Sequence, residues 1–272
     1  MGLDNLLSNR KAKKRLKSYL EYDHTPHSMI FSGPASAKPL SFAISFAKAL
    51  NCLEDSGDFC DRCRNCIEIN KEIFPDLKVI SPDGAIYNKK QVKTFVSDHK
   101  VKPLKGNKKV YIITESHLMN EMTSNALLKV IEEPALVNLF ILITDNTNGL
   151  LPTIISRCQH IKFTPPMKIE IEQQLIERGE DPEKSRVLSY LINVNMESIL
   201  SADHHELLEK RSNIFLVFQK LIRKRDIADV LLDLTHRSRS RDKFIRYFVE
   251  LVNLMIILLR DLMVLKIDRD ST

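Results

Sequence analysis

The chain has 272 residues, 43% of them hydrophobic and 28% charged, a composition that indicates a globular protein long enough for two or three domains. Lys and Arg outnumber Asp and Glu by 41 to 35, and this mild excess is compatible with an anionic partner such as nucleic acid without requiring one. The most apolar run, 251–259, is interrupted by Asn253 and is shorter than the ~20 residues that span a membrane. The N-terminus lacks the apolar segment of a secretory signal, so we expect a cytoplasmic, nucleoid-associated protein with no membrane partner.

The first elements predicted along the chain are a helix, a strand and a second helix. Helical spacing of apolar residues predicts the first helix over 9–22, and an apolar strand begins at Met29. A second helix follows Pro39, with one side formed by Leu40, Ala43, Phe46, Ala47 and Leu50. This order of strand, loop and helix is the setting in which a phosphate-binding loop occurs.

The segment between this strand and helix matches such a loop in part. In the pattern G-x-x-x-x-G-K-S/T, Gly33 and Lys38 are present, but the second glycine is Ala37 and the hydroxyl position is Pro39. Proline offers neither a hydroxyl to Mg²⁺ nor an N–H to a phosphate, although its fixed φ suits the start of a helix. The sequence therefore predicts a loop whose fold is kept and whose chemistry is lost; the alternative is an ordinary strand-to-helix turn.

A four-cysteine insert at 51–70 follows the second helix. Its cysteines, spaced C-x₇-C-x₂-C-x₂-C, are Cys52, Cys60, Cys63 and Cys66. In a reducing compartment four thiolates favour a closed tetrahedral Zn²⁺ site over disulfides. An iron–sulfur cluster and a redox pair are the alternatives. Because the insert is polar and rich in turns, we expect the metal to replace a core, in a structural role.

A strand is predicted at 78–81 and a helix at 88–100. Lys89, Lys90 and Lys93 lie near the start of that helix, and a second basic cluster follows it at Lys100, Lys102, Lys105, Lys108 and Lys109. Clustered lysines can follow the phosphates of DNA, or they can be solvated side chains around a loop. Lys89, Lys90 and Lys93 are our candidate DNA-binding residues.

A near-continuous apolar strand at 110–113 is followed by Thr114 and Glu115. An ATPase carries an acidic pair at this place, and here the first carboxylate is missing. Thr114 brings no charge to a metal, which matches the missing hydroxyl at Pro39 on the other side of the same expected Mg²⁺ site. Both expected protein contacts to the metal are therefore absent.

The remaining elements complete an α/β pattern. A helix at 124–133, a strand at 139–144 and a last strand at 160–163 follow, with Arg157 just before the last strand. Strands alternating with helices indicate a mainly parallel sheet covered on both faces. Beyond 164–166 the strand signals disappear, and long apolar helical patterns dominate from Glu206 onward.

Together these segments resemble the delta-prime subunits of bacterial replicative clamp loaders, which are part of the DNA polymerase III holoenzyme and members of the AAA+ superfamily. The resemblance is carried by His27-Ser-Met-Ile-Phe-Ser-Gly-Pro, the four cysteines, Lys109-Val-Tyr-Ile-Ile, Ser124-Asn-Ala-Leu-Leu-Lys-Val-Ile-Glu-Glu-Pro134 and Ile155-Ser-Arg-Cys158. It implies an AAA+ P-loop-type domain with a parallel sheet and zinc insert at 1–165, an all-α lid at 166–205 and an all-α collar at 206–272.

The resemblance also implies a five-subunit ring with tau/gamma and delta subunits, which loads a sliding clamp onto primed DNA. The departures at Ala37, Pro39 and Thr114 favour the non-hydrolysing delta-prime subunit, so we do not expect this chain to hydrolyse ATP. The lid stretch 193–200 also lacks the arginine of the hydrolysing members. Arg157 is implied to act in trans as an arginine finger, with Cys158 a buried neighbour and not a zinc ligand. The alternative is an active zinc-containing clamp-loader ATPase of the tau/gamma type.

Overall fold

The computed structural model divides the chain into two compact units, Met1–Glu170 and Ile171–Thr272. The structure describes residues 2–6, 8–22, 24–54, 57–84, 86–88, 91, 101–134, 137–177 and 179–191. Among these residues no helix is long and apolar enough to cross a membrane. The domain limits at 165 and 205 stay predictions.

Five strands of the first unit form one parallel sheet in the order β2-β3-β4-β1-β5. Their bounds are β1 (Ser28–Ser32), β2 (Leu77–Ile80), β3 (Lys109–Ile113), β4 (Asn138–Thr144) and β5 (Gln159–Lys162). In the register of the sheet, Ile30 of β1 lies opposite Leu142 of β4 on one side and His160 of β5 on the other. The predicted parallel sheet is confirmed, with β4 placed between β1 and β3.

The helices of the described part alternate with these strands. Their bounds are α1 (Arg10–Glu21), α2 (Pro39–Leu50), α3 (Arg64–Asn70), α4 (Glu121–Glu132), α5 (Pro152–Ile155), α6 (Lys168–Glu177) and α7 (Pro182–Leu191). Pro39 is the first residue of α2, the position where a missing N–H costs no helical hydrogen bond. The last two helices lie in the stretch predicted as a helical lid.

The three central strands β1, β3 and β4 are buried along their whole length, which explains their continuous apolar sequences. Successive side chains point to opposite faces, so Met29 and Phe31 pack into one core and Ile30 into the other. The first core also contains α2 and part of the cysteine insert, and the second contains α4 and Cys158. The sheet therefore has an apolar layer on each face.

Apart from shifts of one residue at element ends, the start of α4 and the exposure of Leu40 differ from the sequence prediction. Helix α4 begins three residues before position 124, because the Asn120 side chain accepts a hydrogen bond from the Thr123 N–H at 2.9 Å and caps the helix there. Leu40, expected on the buried side of α2, is 36% exposed. It lines a groove beside β2 together with Ile44, four residues further along the same helix, while Phe42 packs into the core.

Several predictions lie outside the described residues. They are the body of the helix at 88–100, including Lys89, Lys90 and Lys93, the end of the lid from 192, and the whole collar at 206–272. These stay predictions from the sequence and the resemblance.

Candidate metal centre and P-loop-like turn

The four cysteines of the insert lie together at the carboxyl end of α2. The Sγ atoms of Cys52, Cys60, Cys63 and Cys66 are all within 4.8 Å of one another, and all four are free thiols. A tetrahedral zinc–thiolate site with Zn–S near 2.3 Å has sulfurs ~3.8 Å apart, so a small contraction of this cluster gives that geometry. The residues present therefore fit a four-sulfur metal site.

The backbone around the cluster is already arranged for thiolates. The Cys63 N–H donates to the Cys60 Sγ at 3.2 Å, and the Cys66 N–H donates to the Cys63 Sγ at 3.5 Å at the start of α3. Although burial opposes it, backbone N–H groups of Leu53 and Cys66 lower the pKa of Cys63 to about 7. Burial raises the pKa of Cys66 to about 12 and also raises that of Cys52. The backbone stabilises the thiolate of Cys63, whereas burial disfavours the thiolates of Cys52 and Cys66. A bound cation would therefore be needed to keep all four cysteines as thiolates.

Polar contacts fasten the insert to α2 and to the N-terminal segment. Lys48, nearly buried on α2, forms an ion pair with Asp61 at 2.8 Å and lies 4.7 Å from the centre of the Phe59 ring. The Asp58 carboxylate accepts the Leu3 N–H with both oxygens, at 2.9 and 3.0 Å. Leu3 itself is fully buried in the first core. The insert therefore closes over the start of the chain.

A second connection joins the insert to residues 101–108, the basic loop before β3. The Asn65 side chain, between two of the cysteines, donates to the Asn51 carbonyl at 2.9 Å, and the Asn51 side chain accepts the Lys108 N–H at 2.9 Å. Lys105 of the same loop forms an ion pair with Glu68 of α3 at 2.8 Å. At least one lysine of the predicted basic cluster is thus engaged in a contact within the domain.

The backbone of the same loop is hydrogen-bonded to a buried carboxylate. Asp76, with no exposed surface, accepts the backbone N–H groups of Leu104, Lys105 and Gly106 at 2.7–2.8 Å. Carboxylates that accept several N–H groups make strong charge-assisted hydrogen bonds. The loop is therefore fixed through its backbone.

The P-loop-like turn at the other end of α2 has its N–H groups bonded inside the protein. The Gly33 N–H donates to the Thr144 carbonyl, the Ala37 N–H to the Pro34 carbonyl and the Lys38 N–H to the Ala35 carbonyl, each at 2.9 Å. A phosphate loop works by directing such N–H groups at an anion. Here three of them are occupied, and prolines at 34 and 39 have none to offer.

Gly33 is required by the fold of this turn. A Cβ at this position would lie 2.4 Å from the Phe163 carbonyl oxygen, just beyond β5. Lys38, the last residue before α2, adopts a left-handed conformation with φ of 53°. Packing against Phe163 thus explains why a glycine stands at position 33, and its match to the phosphate-loop pattern does not require nucleotide binding.

At the end of β3 the place of the expected metal-binding carboxylate is taken by a hydroxyl that is already bonded. The Thr114 Oγ1 donates to the Ser81 Oγ at 2.9 Å, across to the end of β2. The buried Tyr87 hydroxyl donates to the Thr114 carbonyl, and burial raises the pKa of Tyr87 to about 12. Glu115 is exposed. Of the acidic pair that an ATPase carries after this strand, only the second carboxylate, that of Glu115, is therefore present.

Arg157 follows the short helix α5 and lies at the surface. Its Nη2 is 3.0 Å from the Glu132 Oε1, and its Nη1 donates to the Thr153 carbonyl at 3.2 Å. The neighbouring Cys158 is buried, burial raises its pKa to about 11, and it lies outside the four-sulfur cluster. Sequence reasoning missed Glu132 because it is 25 positions away, on another helix.

A parallel sheet with β4 between β1 and β3, a P-loop-like turn after β1 and polar residues after β3 define a domain of the AAA+ type. The profile of the family described as "DNA polymerase III, delta subunit" matches residues 8–167, more than half of the chain. The chain belongs to this family. It is a DNA polymerase III clamp-loader subunit of the delta-prime and tau/gamma group.

Two relatives found by sequence similarity agree with this assignment. The chain is 29% identical over 255 residues to DNA polymerase III subunit delta' of Bacillus subtilis, covering 90% of this chain and 78% of the relative. It is 34% identical over 166 residues to subunit gamma/tau of Mycoplasma pneumoniae, covering 61% of this chain and 24% of that protein. A solved gamma subunit-related protein of Thermotoga maritima is 19% identical, with a TM-score of 0.44, covering 88% of this chain and 77% of that one. The resemblance to delta-prime subunits is confirmed.

Proposed function

We propose that this chain is the non-hydrolysing, delta-prime-like subunit of a bacterial replicative clamp loader. In this role it binds tau/gamma and delta subunits in a five-membered ring, and the ring loads the sliding clamp onto primed DNA. The similarity to the delta' subunit of Bacillus subtilis over 90% of the chain supports the assembly role. The apolar helical sequence after Glu206 supports a collar that joins the subunits.

The observation that carries the non-hydrolysing role is the state of the P-loop-like turn. Three loop N–H groups are bonded to carbonyls, of which two lie inside the turn itself. Pro39 and Thr114 remove the two usual protein contacts to Mg²⁺. Loss of a single electrostatic contact in an active site commonly costs ~10²–10³ in kcat, and here several are missing. An active clamp-loader ATPase of the tau/gamma type is the alternative, and these contacts disfavour it.

The four cysteines are proposed to bind one structural Zn²⁺. When bound, the ion would cross-link the end of α2, the insert and the start of α3 through four sulfur bonds. Four sulfur ligands leave no position for water or substrate, which supports a structural role.

Arg157 is proposed to contact the nucleotide of the neighbouring subunit. It lies at the domain surface with its side chain 43% exposed, and a planar guanidinium can stabilise charge that develops on the γ-phosphate oxygens. Lys89, Lys90 and Lys93 are proposed to contact the phosphates of the DNA held by the ring, because clustered lysines can follow a phosphate backbone.

The test uses the clamp loader reconstituted from this chain and its tau/gamma and delta partners. Arg157→Ala should leave zinc content and ring assembly unchanged, while the ATP site that faces it loses ~10³-fold or more in turnover. The clamp- and DNA-stimulated ATPase rate of the ring should then fall by the fraction of the total rate that this one site contributes. Arg10→Ala, which removes an exposed arginine on α1, is the matched control and should behave as wild type. Unchanged ATPase and clamp loading in an assembled Arg157→Ala ring would contradict the trans role.

A further inference from the structure

The backbone of Arg157 is fixed from two directions. Its N–H donates to the Ile154 carbonyl at 3.1 Å in the last turn of α5, and its carbonyl accepts the Ser28 hydroxyl of β1 at 3.0 Å. Ile154 before it and Cys158 after it are both buried. The position of the Arg157 Cα is therefore set by the sheet, and only the long side chain is left to be oriented.

Two acceptors of the same domain orient that side chain. The Thr153 carbonyl takes Nη1 at 3.2 Å and the Glu132 carboxylate takes Nη2 at 3.0 Å. The Arg157 and Glu132 side chains are 43% and 48% exposed, so the pair lies at the water boundary. A guanidinium has five N–H donors in a rigid plane, and fixing two nitrogens fixes the direction of the remaining donors.

Glu132 occupies an unfavourable place for an acid. It is the last residue of α4, where the helix dipole disfavours a negative charge, and Glu133 directly after it is acidic as well. Val130 and Ile131 before it are buried, which fixes the end of the helix against the second core. A carboxylate at this end does nothing for the helix, but it meets the guanidinium of Arg157.

We propose that Glu132 is a positioning residue for Arg157, holding the guanidinium in place so that its remaining N–H donors face the phosphates of a neighbouring subunit's nucleotide. This inference rests on the proposed trans role of Arg157. It requires no contact between Glu132 and the nucleotide. Since an exposed ion pair is weak on its own, the effect of Glu132 is one of geometry and not of domain stability.

The experiment measures the ATPase of the reconstituted ring, as kcat and as KM for MgATP, with variants of this subunit. Glu132→Gln should lower turnover at the facing site by about three- to tenfold, because a misplaced catalytic group costs rate, with KM changed less than about twofold. Glu132→Asp keeps the charge on a shorter arm and should retain more activity than Glu132→Gln. Glu133→Gln makes the same charge change one residue later and is the matched control, expected to equal wild type.

A double variant separates this role from a structural one. If Glu132 acts through Arg157, then adding Glu132→Gln to the Arg157→Ala variant should cause no further loss of ATPase activity. The melting temperature of the single variant Glu132→Gln should match that of Glu133→Gln. A further loss in that background, an unchanged Glu132→Gln ring or a faster one would each overturn the inference while leaving the trans role intact. An Arg157→Ala ring with normal ATPase would instead overturn both, so the two failures are distinguishable.

Discussion

The two ends of helix α2 show opposite relations between fold and ligand chemistry. At its start, the segment from Gly33 to Pro39 lacks the second glycine and the hydroxyl of the phosphate-loop pattern, and three of its N–H groups are bonded to carbonyls. At its end, the insert keeps a complete set of four sulfur ligands within 4.8 Å. The same helix thus joins a turn that departs from the phosphate-loop pattern to an insert with a full set of four cysteine sulfurs.

The difference follows from what stabilises each end. The start of α2 is held by the sheet: Gly33 packs on the Phe163 backbone, and the Phe42 ring is 4.8 Å from the Phe163 ring. The insert contributes few apolar side chains to the core besides Phe59 and its cysteines. A segment with its own core can lose a ligand and stay folded, whereas a segment held together by its ligands cannot.

The largest effect is expected from removing the metal ligands. Cys60→Ser should abolish stoichiometric zinc and cost several kcal/mol of folding free energy, since zinc binding in small structural sites reaches ~10 kcal/mol. Zinc should also leave as the pH falls, because thiols must be deprotonated to bind it. Elemental analysis and thermal unfolding with and without a chelator measure both effects.

The control for this variant is Cys158→Ser, which alters the buried cysteine outside the cluster. It should retain one zinc per chain. Wild-type protein with clearly less than one zinc, or with the visible absorbance of an iron–sulfur cluster, would contradict the assignment and remove the contrast between the two ends of α2.

A smaller effect is expected at the start of the helix. Gly33→Ala should destabilise the domain by ~1–3 kcal/mol, because its Cβ meets the Phe163 carbonyl at 2.4 Å and forces the backbone apart. Ala37→Gly, which restores the second loop glycine, should cost less than ~1 kcal/mol. Denaturant unfolding without nucleotide measures both. Equal, negligible effects would mean that Gly33 is not kept for packing.

The tie between the insert and the N-terminal segment should be weaker still. Asp58→Ala removes the acceptor of the buried Leu3 N–H and should cost ~1–2 kcal/mol while zinc stays bound. Thermal unfolding together with zinc analysis tests this. Loss of zinc in Asp58→Ala would show that the N-terminal contact supports the metal site.

The smallest effect is expected at Lys38. In the isolated chain, we expect both the wild type and Lys38→Ala to show ATP turnover no faster than the buffer background, since the metal contacts at 39 and 114 are missing. A Mg²⁺-dependent turnover that copurifies with the chain and disappears in Lys38→Ala would make the start of α2 a working site.

The strands and the clustering of the four cysteines could be predicted from the sequence because both depend on the spacing of residues close together in the chain. Continuous apolar runs located β1, β3 and β4, and the cysteine spacing located the cluster. The ion pair between Arg157 and Glu132 could not be predicted, since tertiary packing brings the segment after α5 to the end of α4. The exposure of Leu40 was missed for a related reason: helical spacing groups residues on a side without saying where the core ends.

The internal bonding of the P-loop-like turn was also beyond sequence reasoning. The residues at 37 and 39 predicted weakened chemistry, but the hydrogen bonds from the Ala37 and Lys38 N–H groups to the carbonyls three residues earlier depend on backbone angles. A motif gives the identity of side chains, and it does not give the direction of main-chain N–H groups.

The carboxylate of Asp76 beneath the basic loop has a consequence for amide hydrogen exchange. Exposed loops normally exchange their amide hydrogens quickly, because opening their N–H groups to water costs little free energy. The amides of Leu104, Lys105 and Gly106 are instead bonded to a carboxylate that has no exposed surface. These three amides should therefore exchange at rates close to those of the central strands, although they belong to a loop at the surface of the domain.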